Sequence, residues 1–140
     1  MIRSLKRRRD QRGGAAAVEL AVLLPLLAYL AVIATDWARL FQQLITVQAC
    51  ARNGALYASD AMAAGQSPYA NVQQAAMAEA PEFATAATVT ATSTTDSTGY
   101  PAVIVTVQVP FNTITNFPGV PSNQTLVRRT QMRISPLATK

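Results

Sequence analysis

An unbroken apolar segment near the amino end dominates the pattern of hydrophobic and polar positions along the chain. Residues 13–35 contain one charged side chain, that of Glu19. If residues 15–35 form a helix, it is about 31 Å long at 1.5 Å per residue, close to the thickness of the hydrocarbon layer of a bilayer. Pro25 removes one backbone donor in the middle of this helix, so a kink or a local widening is expected there. The pattern predicts a transmembrane helix over residues 15–35.

The helical pattern continues beyond the apolar segment. Asp36 and most other polar residues after it fall outside the predicted apolar face of the helix. We therefore expect one amphipathic helix to run from about Ala15 to Ala64, and Gly54 inside it allows another element to approach closely. Apolar side chains recur at steps of three and four residues, the spacing of one helix face, at Trp37, Leu40, Phe41, Leu44, Val47, Ala51, Ala55, Ala58 and Met62.

A short helix and a hairpin are predicted next. Ser67 is a suitable N-cap for a helix over residues 68–79. Residues 85–95 and 103–109 alternate in the manner of strands, and the second run places four valines on one face. The turn signal of residues 96–99 between them predicts a β-hairpin.

The remaining residues complete a small sheet. Residues 110–123 hold three prolines and are expected to form a loop. Residues 125–135 are expected to form a last strand with Arg129, Gln131 and Arg133 facing solvent. Two or three strands are marginal by themselves, so the sheet needs the long helix to cover it. The predicted fold class is α+β, with a long amino-terminal helix, half transmembrane and half soluble, packed on a small antiparallel sheet.

The distribution of charge predicts an orientation. The net charge of +5 lies in the first twelve residues, which carry six basic side chains and one acidic one, whereas residues 13–140 carry six of each. Basic residues beside a first apolar helix stay on the cytoplasmic side, which favours a topogenic signal over a nucleic-acid-binding arm. We expect a cytoplasmic basic leader over residues 1–14, a single span of the cytoplasmic membrane over 15–35, and an extracytoplasmic domain over 36–140.

Three fates of the apolar segment are compatible with its pattern. It could be a permanent anchor, a secretory signal peptide removed after Ala34, or a helix left on the mature protein by cleavage at Gly13 and Gly14. Glu19 disfavours the second of these, because the apolar core of a signal peptide seldom begins with a carboxylate.

The residues around these glycines resemble a known family. Arg12–Leu20, followed by Leu23–Leu27, resembles the amino terminus of TadE-like proteins, which are pseudopilins or minor pilins of tight-adherence (Tad, Flp-type) pilus systems. Downstream, Asp36–Phe41 resembles the acidic, aromatic and Arg segment of that family. Ala49–Ala55 resembles its Ala-Ala-Arg-x-Gly-Ala signature, and the resemblance covers residues 12–58. The signature positions in this chain are Asp36, Arg39, Ala51, Arg52 and Gly54.

The resemblance implies a pilin-like arrangement of the predicted helix and sheet, and it implies processing and subunit packing. A membrane-embedded prepilin peptidase cuts such chains after a glycine and leaves glutamate as the fifth residue, which places the cut between Gly14 and Ala15. The resemblance also implies that the new amine of Ala15 in one subunit pairs with Glu19 of a neighbour. Leu20 stands where the family usually has Phe or Tyr. We expect Glu19, Leu20 and Pro25 to contribute to subunit packing, and the alternative for Glu19 is that its carboxylate only reaches the headgroups.

The side chains that most enzymes and metal sites use are scarce. The chain has no histidine, its carboxylates are scattered, and Gly13-Gly14 lacks the Lys-Ser/Thr of a phosphate-binding loop. Cys50 stands alone and is expected to be a small buried residue. We predict no enzyme activity, catalytic residue, metal, cofactor or small-molecule substrate.

The sequence thus predicts a structural pseudopilin or minor pilin that takes part in assembling a Tad-type (type IV-like) pilus for adhesion or secretion. Its expected partners are membrane lipid, a prepilin peptidase, other pilus subunits and the pilus assembly machinery. Its expected location is the cytoplasmic membrane and, after assembly, an extracellular pilus. The alternative is a single-pass, membrane-anchored binding module of the cell envelope that never polymerises.

Overall fold

A single long helix organises the protein. The computed structural model describes residues 3–115 and 123–135, with side chains from Gly14 onward. Helix α1 runs from Arg3 to Ser59 with Pro25 inside it, and is about 85 Å long at the usual rise. The helical pattern beyond the apolar segment is therefore confirmed, although the helix begins before Ala15.

The end of α1 differs from the prediction of Ala64. Asp60 has an extended backbone and caps a separate helix, α2 (Ala61–Gln66), since its carboxylate accepts hydrogen bonds from the N–H groups of Met62 and Ala63 at 2.9 and 3.0 Å. A carboxylate that satisfies two orphan donors stabilises a new helix start. The break at Asp60 ends α1 at Ser59.

The helix that follows α2 is shorter than the predicted helix over residues 68–79. Helix α3 covers Val72–Met77, and its cap is Asn71, whose side chain accepts from the N–H of Gln74 at 2.8 Å. The prediction of Ser67 as N-cap for residues 68–79 was wrong. A 3₁₀ turn at Pro81–Phe83 follows.

Three antiparallel strands form the sheet, in the order β1-β2-β3. They are β1 (Thr88–Thr95), β2 (Pro101–Phe111) and β3 (Gln124–Arg133). The predicted turn joins β1 and β2, and the Asp96 carboxylate accepts from the N–H groups of Thr98 and Tyr100 at 2.8 and 3.0 Å. The hairpin and the α+β fold class are confirmed.

The loop predicted from residue 110 begins later. Pro110 and Phe111 belong to β2, where they pair with Thr125 and Gln124 of β3. Phe111 is buried together with Leu40 and Leu126, and this packing keeps the strand extended past the proline. Residues 116–122 of the predicted loop lie outside the described residues.

The core lies between the soluble half of α1 and one face of the sheet. The four valines of β2 are buried in a cluster with Val47, Ala51 and Ala55 of α1, so the predicted valine face is confirmed. Arg129, Gln131 and Arg133 are exposed as predicted. The predicted apolar face of α1 was wrong at two positions, because Phe41 is 57% exposed and Met62 is 60% exposed.

Gly54 permits the close contact between α1 and its neighbours. A Cβ atom at this position would lie 3.1 Å from the Ala76 Cβ and 3.1 Å from the Val105 Cγ1. Helix α3 and strand β2 therefore both approach α1 here, as the sequence predicted.

The Gly54→Val substitution is expected to destabilise the folded protein by about 1–3 kcal/mol, the range for overpacking a tight core. The matched control is Gly65→Val, because no atom lies within 4 Å of a Cβ built at Gly65. Thermal unfolding of the full chain in detergent micelles, followed by circular dichroism, measures the difference. Equal melting temperatures for the two variants would contradict the close approach.

Candidate functional site

The amino-terminal half of α1 presents its side chains outward. Residues 14–35, called the anchor segment below, are all exposed except the half-buried Ile33. The part of the chain that the structure describes contains one helical segment, Gly14–Ser59, that is long enough and apolar enough to cross a membrane. Large apolar side chains exposed in this number need a nonpolar environment, which a bilayer or the helices of other subunits can supply.

Glu19 is the one charged side chain of the anchor segment. It is exposed and lies beside Val18, Val22 and Leu23, which line a shallow depression with it. None of the side chains that the structure describes forms a hydrogen bond or ion pair with it. Inside a bilayer, a carboxylate at this position would cost free energy unless it were paired with a cation or reached the interface.

Positions 15 and 19 lie one helical turn apart on the same face of α1. A cut after Gly14 would therefore create an amine on the face that carries Glu19. The backbone at Gly14 is spatially open, because no atom lies within 4 Å of a Cβ built there.

Leu20 and Pro25 are the other two residues for which a role in subunit packing is predicted. Both are exposed in the single chain, and α1 continues through Pro25. Their side chains are thus accessible to a neighbouring helix, and their role in packing stays a prediction.

Asp36, the first residue after the anchor segment, ties α1 to the loop that follows β2. Its carboxylate accepts from the N–H of Ile114 at 3.3 Å and from the N–H of Thr115 at 3.2 Å. The Thr115 hydroxyl donates to the same carboxylate. The side chain is 1% exposed, which overturns the expectation that Asp36 faces away from the core. We call this set of contacts the Asp36 clasp.

Arg39 lies one turn beyond Asp36 on α1 and supplies a nearby positive charge. Its Nη1 is 3.7 Å from the Asp36 Oδ1. The Thr115 hydroxyl, the two loop N–H groups and Arg39 together hold the pKa of Asp36 below its ordinary value of 3.8, against burial, which raises it. The clasp therefore favours an ionised carboxylate.

The remaining signature positions have separate roles. Ala51 is buried in the main core and Gly54 forms the close approach described above, so both are needed for packing. Arg52 is exposed. The structure thus brings Asp36 and Arg39 together and places Ala51 and Gly54 against the sheet and α3, about four turns further along α1.

A second concave region lies at the end of α1 that is distant from the anchor segment. This groove, of about 790 Å³, runs between the end of α1, α2 and α3, and both Asp60 and Glu79 line it. The Asn53 amide donates to the Glu79 carboxylate at 2.6 Å, and the Tyr57 hydroxyl donates to the backbone carbonyl of Tyr69 at 3.0 Å.

Cys50 is fully buried in the main core, as the sequence predicted. Burial, followed by the nearby charges of Glu79 and Glu82, raises the pKa of its thiol above the ordinary value of 9.0. The thiol is therefore protonated and shielded at neutral pH. Among the described residues, no group of three His, Cys, Asp or Glu side chains is placed to hold a metal ion.

The loop partners of Asp36 were not identified from the sequence. Ile114 and Thr115 lie 78 and 79 residues further along the chain, and neither belongs to a recognisable motif. The one local feature that pointed to such partners was the carboxylate itself. An acidic residue directly after an apolar segment needs polar partners if it is buried.

Comparison with known proteins gives one positive result. Residues 14–56 match the family of TadE-like proteins, which confirms the resemblance seen in the sequence. The matched region covers the anchor segment and most of the soluble half of α1, including every signature position, and the sheet lies outside it. No curated protein and no solved structure matches the chain.

Proposed function

We propose that this protein is a membrane-anchored pseudopilin, or minor pilin, that takes part in assembling a Tad-type pilus for adhesion or secretion. The observation that carries the proposal is the match of residues 14–56 to TadE-like proteins. That family is associated with Tad pili and is structural rather than enzymatic. The exposed apolar anchor segment, with a single carboxylate, is the surface such a subunit needs for lipid and then for other pilus subunits.

The proposed mechanism has two stages. The anchor segment first holds the subunit in the cytoplasmic membrane, with the basic leader inside and the folded domain outside. A prepilin peptidase then removes residues 1–14, and the amine of Ala15 becomes available to Glu19 of a neighbouring subunit. An opposite charge within a few ångströms favours the ionised carboxylate and offsets its desolvation, so the pair selects one register of packing.

Processing gives the direct test of this proposal. Mass analysis of the mature protein is expected to find Ala15 as its first residue, and Gly14→Leu is expected to abolish the cut because a side chain blocks the close approach of the peptidase. Gly13→Leu is the matched control and is expected to retain cleavage. A mature chain beginning near Thr35 would show that a secretory signal peptidase acts instead, and the proposal would then be wrong.

Orientation gives an independent prediction. Protease added to spheroplasts is expected to degrade residues 36–140 completely while leaving a short membrane-protected fragment that contains the anchor segment. Disruption of the membrane should be needed before the basic leader of an unprocessed Gly14→Leu variant is digested. Protection of the folded domain in intact spheroplasts would reverse the proposed topology.

The groove beside α2 and α3 favours a second candidate function. In this alternative the protein stays in the membrane as a binding module of the cell envelope and never polymerises. The groove, of about 790 Å³, is large enough to hold several side chains of a bound peptide. The two functions differ in processing, because a non-polymerising module needs no cut and its mature chain would begin at residue 1.

A further inference from the structure

The sheet has one end close to the anchor segment and one end distant from it. At the distant end the N–H of Ser135 donates to the carbonyl of Ser59 at 2.8 Å, and the N–H of Ile134 donates to the carbonyl of Pro101 at 3.0 Å. At the near end Phe111 packs against Leu40. The residues directly after β2 therefore lie at the level where α1 leaves the anchor segment.

Asn112–Thr115, called the near loop below, is held at this level by the Asp36 clasp. The clasp uses backbone N–H groups of the near loop, so it determines where the loop lies without using the side chain of Ile114. That side chain is 72% exposed. Transfer of an isoleucine this exposed from water to an apolar environment is favourable.

The surroundings of Ile114 suit the boundary between lipid and water. The sequence contains no charged residue between Asp96 and Arg128, so the near loop brings no charge with it. On α1, about 8 Å along the axis from Asp36, the exposed Phe41 contacts Trp37, with their ring centroids 5.9 Å apart. Aromatic side chains are enriched at this depth of a membrane.

We propose that the near loop is a second membrane contact, in which the Ile114 side chain enters the interfacial layer of the leaflet that the folded domain faces. This inference rests on the proposed function, since it requires α1 to span the membrane. Because the span already holds the domain at the membrane surface, the effective concentration of lipid at the near loop is high. Burial of one isoleucine in the interfacial layer is then enough to bias the tilt of the domain. The Asp36 clasp sets the depth of the contact by connecting the loop to the helix at the membrane boundary.

The test uses the full chain with Cys50→Ala, labelled at one introduced cysteine with an environment-sensitive fluorophore. The protein is inserted in vesicles of phosphatidylethanolamine and phosphatidylglycerol that contain lipids spin-labelled near the headgroup or deep in the acyl chain. The test position is Asn112→Cys, which leaves Ile114 intact. Leu24→Cys in the anchor segment is the control for spanning, and Ser97→Cys in the distant hairpin turn is the control for water.

The label at Asn112 is expected to emit at shorter wavelength than the label at Ser97 and to lose most of its intensity to the headgroup quencher. Adding Ile114→Asp, or separately Asp36→Ala, should return it to the behaviour of Ser97. Because Ile114 is exposed, its replacement leaves the core intact, and unchanged Trp37 fluorescence would verify this.

Each other outcome has a distinct meaning. If the lipid spin-labelled deep in the acyl chain does not quench the label at Leu24, the anchor segment does not span the membrane, and the proposed function is wrong. Quenching at Leu24 without quenching at Asn112 would overturn the near-loop contact alone. Quenching at Asn112 that survives Ile114→Asp would also overturn it. The emission shift of the label at Asn112 could also be unaffected by the lipid quenchers and disappear as the protein is diluted with lipid. That result would overturn the proposal, because it would show that a second copy of the chain, rather than lipid, covers the near loop.

Discussion

Glu19→Ala is expected to reach the membrane at the wild-type level and to abolish pilus assembly. Removing a carboxylate from the start of an apolar helix lowers the cost of insertion, so membrane content should be equal or higher. Assembly should fail because the amine of Ala15 loses its charge partner and the register of packing is no longer selected. The measurement pairs membrane content with surface piliation, or with co-purification of other pilus subunits.

Conservative variants separate charge from shape at this position. Glu19→Gln keeps the length and some hydrogen bonding but cannot neutralise an amine, so it should fail as Glu19→Ala does. Glu19→Asp has a carboxylate one methylene shorter and should be intermediate. Val22→Ala, one turn away and also exposed, is the matched control and should assemble normally. Normal piliation by Glu19→Ala at normal membrane content would favour the alternative in which the carboxylate only reaches the headgroups.

Asp36→Ala is expected to destabilise the folded domain. It removes the acceptor of both near-loop N–H groups and of the Thr115 hydroxyl, and it leaves Arg39 without its carboxylate. Loss of several hydrogen bonds in a domain of this size predicts a melting temperature lower by about 5–10 °C. The chain has one tryptophan, Trp37, whose half-buried ring beside the clasp should report the loss by a red-shifted emission.

The controls for Asp36 address charge and acidity. Glu82→Ala removes an exposed carboxylate from the 3₁₀ turn and should leave the melting temperature nearly unchanged. Asp36→Asn retains one acceptor oxygen and should be intermediate. A melting temperature for Asp36→Ala equal to that for Glu82→Ala would show that the clasp does not hold the near loop.

The clasp also predicts a dependence on pH. The pKa of Asp36 is lowered in the folded protein, so its stabilisation is fully present above the unfolded value and is lost as the pH falls through the folded value. The difference in melting temperature between the native chain and Asp36→Asn should therefore be greatest above about pH 4. This difference should become smaller as the pH is lowered further. A difference that widens on acidification would contradict the assignment.

Local patterns were sufficient to predict the anchor segment, the hairpin and the buried face of β2. Apolarity over a bilayer length and strict alternation are properties of neighbouring residues, and they hold whatever the rest of the chain does. The turn at Asp96 is similar, because its carboxylate bonds to N–H groups two and four residues further on. Glu19 was also identified from its neighbours, as a charge in an apolar run.

Competition between equivalent local signals was decided by packing. Ser67 and Asn71 are both good N-caps, and Asn71 caps the observed helix because α3 then buries Ala75, Ala76 and Met77. Gly54 leaves the space on α1 that Ala76 occupies. Asp60 fits a helix interior poorly and a helix start well, so the predicted long helix divided there.

The sequence by itself determined that this chain has an apolar helix of bilayer length, a carboxylate within it, a TadE-like amino-terminal region and a strand of alternating valines. Only the tertiary structure decided the role of Asp36, which periodicity placed on the outer face of the helix and which the fold buried. The physical reason is that the donors of the clasp come from a loop 78 and 79 residues away, and a contact between such distant positions depends on the register of the sheet against the helix. The same register places Ile114 at the end of the anchor segment.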